Sequence, residues 1–187
     1  MNSERASDEA SAREGRRYYN PGQRDYATFP KTSEETAGGR TLVEIEVASG
    51  GTPPHYHKTY DEHFEVLGGT LEVLSGKEQH ILRPGQRAVA PKNTRHCFHN
   101  STGEPTTFLV EMRPGQPGFE KAIKAGYGMA ADGRNSLYHP YKLAVILEWS
   151  EIRMSGVMGL LDSVFKLLAK LARKRGVDKE LEAEHCR

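Results

Sequence analysis

Gly50-Gly51-Thr52-Pro53-Pro54-His55-Tyr56-His57-Lys58-Thr59-Tyr60-Asp61-Glu62, closed by Gly68-Gly69, and a later stretch from Gly85 to Asn100 that carries His96, decide how this chain is read. His55 and His57 stand two apart, so in an extended segment both imidazoles leave the same face of the strand. Glu62 follows five residues on, where a short loop can return its carboxylate to the imidazoles. His96 on a later strand supplies a fourth corner from across a barrel. Three imidazoles and one carboxylate suit a divalent transition metal, Fe, Mn, Ni, Cu or Zn. Such a set leaves coordination positions open, as catalytic metal sites do.

These residues resemble the two motifs of the cupin family. The first motif reads G-x5-H-x-H-x4-E-x6-G, and His55, His57, Glu62 and Gly69 fall in register, with Ser49 at the opening glycine and Gly50 one place late. The second reads G-x5-P-x-G-x2-H-x3-N, matched by Gly85, Pro91, His96 and Asn100. Asn93 stands at the inner glycine, and asparagine tolerates the left-handed backbone better than most residues. The resemblance spans residues 35–115. It implies a mainly β fold, an antiparallel jelly-roll barrel with His55, His57, Glu62 and His96 as metal ligands.

Outward from the two clusters, the hydrophobic pattern is that of short strands between Gly and Pro turns. Residues 40–48 alternate Val43, Ile45 and Val47 against Glu44 and Glu46, the signature of a half-buried strand. Glu62, Phe64 and Val66 share a face of the next strand, so the carboxylate points inward beside apolar neighbours. Further strands are expected at 70–75, 79–82, 87–90, 95–100 and 106–112, which together make an antiparallel barrel or jelly roll. His96 and Phe98 share a face, and Phe64 and Phe98 are the candidate walls of a substrate pocket. Glu111 lies on the last strand with its direction open. Asn100 is expected to fix a turn rather than to touch a substrate.

The ends lie outside this pattern. Residues 1–34 form an N-terminal arm whose first 17 residues lack apolar periodicity and are expected to be mobile. The stretch from Tyr18 to Gly39, with aromatic residues among turn formers, is expected as an irregular arm on the barrel or on a partner subunit. By resemblance, such arms imply a homodimer. Residues 116–187 are read as a helical C-terminal extension. Phe119, Ile123 and Tyr127 begin a helical turn or two, Gly133-Arg134-Asn135 breaks it, and Pro140 starts a helix to about Trp149. Val157, Leu160, Leu161, Val164, Leu168 and Leu171 then recur at helical spacing, with Lys166, Lys170, Arg173, Lys174 and Arg175 on the polar side and toward the end. This helix is expected to pack on the barrel or on a second subunit, with peripheral membrane contact as the other reading.

Other reactive residues are given plain roles. His63, His99 and Cys97 lie out of phase with the ligand face, His80 and His139 have no partner at ligand spacing, and His185 and Cys186 belong to a loose tail. In 187 residues of net charge +1 nothing points to nucleic acid, and no helix-turn-helix pattern is present. Two cysteines and no apolar leader suit a reducing, cytoplasmic setting. The function expected is that of an oxygenase-like enzyme on a small organic substrate, with Glu62 as metal ligand and candidate catalytic base. A non-catalytic binder of small molecules, or a metal-dependent isomerase or lyase, would use the same residues.

Overall fold

The computed structural model describes residues 15–133 and 139–186, without the side chains of Val157 and Met158. The mobility expected for the N-terminus therefore concerns, for residues 1–14, a stretch outside the described residues, as do Arg134 and Asn135 of the expected helix break. The strands in order are β1 (Arg17–Asn20), β2 (Asp25–Lys31), β3 (Thr41–Val47), β4 (Gly50–Gly51), β5 (His55–Tyr56), β6 (Asp61–Gly68), β7 (Leu71–Ser75), β8 (Glu78–Leu82), β9 (Arg87–Ala90), β10 (His96–Asn100), β11 (Thr106–Arg113) and β12 (Arg153–Met154). The α-helices are α1 (Pro117–Ala131), α2 (Pro140–Trp149), α3 (Asp162–Lys174) and α4 (Val177–His185).

Two antiparallel sheets make a jelly roll. One runs β1-β2-β3-β11-β6-β9, and the other runs β12-β5-β10-β7-β8 with β4 also paired to β10. Period-two alternation drives the inward faces together: Val43, Ile45, Val47, Phe64, Val66, Phe108, Val110 and Met112 of the first sheet join Leu71, Val73 and Leu82 of the second in one core. Glu111, between Val110 and Met112, accordingly faces outward, where Arg113 donates to it at 2.7 Å.

The β4–β5 segment is broken because Pro53 and Pro54 cannot donate to a ladder. Gly51 pairs with His99 and His55 with His96, so β10 holds both pieces. Gly51 is required there: a Cβ would lie 1.9 Å from the carbonyl oxygen of Phe98. Asn93 does adopt the left-handed conformation, with φ of 62°. Asn100 fixes the turn after β10 through Nδ2, which donates to the carbonyls of Val47, Ala48 and Glu104.

The sequence reading misses strands β1, β2 and β12 and helix α4. The segment from Tyr18, expected as an irregular arm, pairs as β1 and β2 and extends the first sheet beside β3. Its pattern is blurred because both faces of β2 are partly buried, with polar Asp25 on one and Thr28 on the other, and Pro30 sits where the β2–β3 register shifts. At the other end, the supposed loose tail folds as α4. Leu181 is its single fully buried side chain, joining Ala125, Met129, Val145 and Ala172 in a second, helical core. One buried leucine among acidic residues gives too weak a periodicity to be read. His185 seats against Gly128, where a Cβ would come within 2.5 Å of the ring, and Cys186 is half-buried.

Helix α1 is longer than the turn or two expected. It is clamped to the barrel by Glu120, whose Oε1 accepts from the Ser33 backbone at 2.6 Å and the Thr41 hydroxyl at 2.7 Å. Tyr127 adds a buried donation to Asp25 at 2.7 Å. No helix among the described residues is long and apolar enough to cross a membrane.

Candidate metal centre

Each ligand candidate is brought in by a separate piece of backbone. His55 and His96 stand opposite each other on β5 and β10, and residues directly opposite on neighbouring strands project from the same face. Glu62 comes from β6 in the other sheet, paired with Ala90 and Met112. His57 lies just past β5, its carbonyl accepting from the Asn93 backbone at 2.6 Å. The result is a four-residue group whose ligand atoms all lie within 4.8 Å of one another. All four residues are buried, His57 and His96 1% exposed and His55 and Glu62 6%.

The hydrogen bonds fix which ring nitrogen faces the centre. His55 Nδ1 lies 2.8 Å from the carbonyl of Pro53, and His96 Nδ1 2.9 Å from that of Thr94. A carbonyl only accepts, so Nδ1 carries the proton in both rings and Nε2 offers a lone pair inward. Nε2 of His57 stands 3.3 Å from Glu62 Oε1, and Nε2 of His96 stands 3.1 Å from Oε2. Neither contact has hydrogen-bond geometry, and both Nε2 atoms are buried without a partner. Lone pairs converging on a buried carboxylate repel unless a cation lies among them, either a proton or a metal ion.

The electrostatics agree. Burial pushes His55 down to about 4, with the charges of His96 and His57 adding to the effect and Glu62 opposing it. Burial alone would raise the Glu62 carboxyl, but the approach of His57 and His96 outweighs it and holds the group well below the usual carboxylate range. Burial would lower His96, but Glu62 outweighs it and raises the imidazole above its ordinary value. The neutral His55, the anionic Glu62 and the orphaned nitrogens fit a divalent metal held by imidazole and carboxylate.

Sequence reasoning missed the supports around the ligands. Tyr60 stacks on His57 with ring centroids 4.2 Å apart, and its hydroxyl donates to the Ser150 carbonyl at 3.0 Å. Strand β12 pairs with β5, placing Met154 opposite His55, and Ser155 donates through Oγ to the Pro54 carbonyl at 2.9 Å. No local pattern could reveal a strand of two residues contributed from a hundred positions downstream. Phe64 lies in the core with its ring 6.5 Å from that of His96, and Phe98 packs against Phe108 at 4.9 Å. These rings form an apolar floor beneath the ligands. His63 and His99 lie outside the group, as expected from their phase.

Residues 41–112 match the Cupin_2 family, described as a cupin domain. Protein SchB of Streptomyces halstedii is 35% identical over 83 residues, 43% of this chain and 57% of that protein. An uncharacterized protein of Aquifex aeolicus is 35% identical over 65 residues, 35% of this chain and 53% of its own length. The chain thus spans little more than half the length of these relatives. Among solved structures, KdgF from Halomonas sp. is 21% identical with a TM-score of 0.45, over 50% of this chain and 81% of that one.

Proposed function

Because the chain belongs to the cupin superfamily through residues 41–112, we propose that its barrel is a metal-dependent enzyme of oxygenase-like type acting on a small organic substrate. The observation that carries this reading is the buried convergence of His55, His57, Glu62 and His96 with three imidazole nitrogens, both of His57 and Nε2 of His96, left unpartnered. A divalent transition metal bound there would supply Lewis acidity and, for iron or copper, one-electron chemistry with dioxygen.

The protein's own contributions are distinct from the metal's. Pro53 and Thr94 hold the tautomers of His55 and His96, so both rings are ready as ligands without rearrangement. Tyr60 holds the plane of His57. Phe64 and Phe98 keep the floor dry and give an organic substrate an apolar surface. Glu62 serves as a ligand, its carboxyl kept anionic by the approach of His57 and His96, and it remains the candidate catalytic base beside a bound substrate.

Metal content per chain, measured by plasma mass spectrometry on untagged protein, tests the reading. Near-stoichiometric metal is expected in the wild type and its loss in His57→Ala, His96→Ala, followed by substrate-dependent oxygen uptake with the iron or copper form. No metal after reconstitution with Fe, Mn, Ni, Cu and Zn would overturn the metal centre. Bound ligand recovered unchanged by metal-loaded protein, without oxygen uptake, would overturn the oxygenase reading.

A further inference from the structure

Helix α3 packs by its smallest side chains. Ala169 and Ala172 are fully buried, and Ala172 meets Val145 of α2 and Leu181 of α4 in the helical core. Of the larger apolar residues expected to cover a core, Leu160, Leu161 and Val164 are turned outward, while Leu168 and Leu171 are half-buried. On α3, Val164 is 51% exposed and Leu167 57%, and with half-buried Leu171 they recur at steps of three and four along one face, extended by Leu160, 79% exposed, in the 3-10 turn (Gly156–Leu161) that leads into the helix. Leu161, 41% exposed, borders the same stripe.

The charges beside the stripe have one sign. Residues 160–175 carry Lys166, Lys170, Arg173, Lys174 and Arg175 against the single acid Asp162. Asp162 is engaged by Lys166 at 2.6 Å and by Arg153 at 3.4 Å. Arg173 pairs with Glu148, and Arg175 lies 4.7 Å above the Tyr141 ring. Lys170 and Lys174 take no ion-pair partner among the described residues. They stand one turn from Leu167 and Leu171, on the margin of the stripe.

We propose that this face of α3 docks on an anionic lipid bilayer. Leu160, Val164, Leu167 and Leu171 enter the boundary between headgroups and acyl chains, while Lys170 and Lys174 meet the lipid phosphates. A second copy of the chain is the poorer occupant. The apolar stripe could pair with itself, but a two-fold contact would also bring Lys170 and Lys174 of both copies to one seam, where the only acid of this segment is already taken by two cations. A planar anionic surface satisfies Lys170 and Lys174 together and leaves the alanine face undisturbed against α2 and α4.

The test is co-sedimentation of the metal-loaded full chain with vesicles of phosphatidylcholine alone, and with vesicles in which about a third of the lipid is phosphatidylglycerol. Binding is expected to the anionic vesicles only and to weaken in high salt. Val164→Asp, Leu167→Asp should abolish it. Lys170→Gln, Lys174→Gln should lower partitioning about fivefold per lysine. Both positions pairs are exposed, so circular dichroism and metal content should match the wild type. Equal binding to the two kinds of vesicle, binding to neither, or variants that partition like the wild type would overturn the proposal. So would sedimentation equilibrium showing a dimer that Val164→Asp, Leu167→Asp dissociates while vesicles bind nothing.

Discussion

His55 and His96 stand directly opposite each other on neighbouring strands, their rings 4.4 Å apart, yet their surroundings move their proton affinities in opposite directions. Burial holds His55 at about 4, so the fold keeps it neutral where the unfolded chain would take up a proton near its ordinary value of 6.5. The unfolded state then binds more protons, and the corresponding stability is complete above pH 6.5 and lost as pH falls from there toward 4. Glu62, held low, loses its contribution in the same direction once pH drops below 4.5. His96 is raised, so its contribution has the other sign, present below pH 6.5 and lost as pH rises through its folded value. Metal-free protein should therefore lose about 3 kcal/mol between pH 6.5 and 4 on account of His55. Urea unfolding across that range is the measurement, and His55→Gln should flatten the slope.

At the scale of elements, the two-piece strand β4–β5 shows how close backbone approach sets the ligands. A methyl group at Gly51 would strike the Phe98 carbonyl, so Gly51→Ala must push β4 away from β10. The expected cost is about 2 kcal/mol or more, read as a lowered urea midpoint, with metal content reduced because His55 hangs from the same segment. This region was legible in the sequence because its constraints are local: two histidines in phase, a carboxylate in phase with Phe64, and an asparagine able to take the left-handed turn. Strand β3 and the strands from β6 to β11 were legible for the same reason, since Val43, Phe64 and Val110 each sit in a plain alternation. What escaped had no local signature. Hairpin β1–β2 buries Asp25 and Thr28, α4 hangs on Leu181, and α3 reverses its amphipathic reading because Ala169 and Ala172, not the leucines, make the close contact. Small side chains let helices approach, and a hydrophobic pattern weights them too lightly to show it.

Across the whole molecule, the centre ties both sheets together, since Glu62 belongs to one and His55 and His96 to the other. A ligand that binds the fold alone stabilises it by mass action. Removing metal with a chelator should lower the melting temperature by about 5–10 °C where free metal had stood near a hundred times its dissociation constant. The difference should vanish in His57→Ala, His96→Ala, as differential scanning calorimetry would show. The C-terminal extension enters the same structure through β12, which completes the sheet beside the ligand strand. All four ligands are synthesised by residue 96, but the strand that borders His55 follows only at Arg153. While the chain emerges from the ribosome, β5 is thus a raw sheet edge, open to mispairing with another nascent chain.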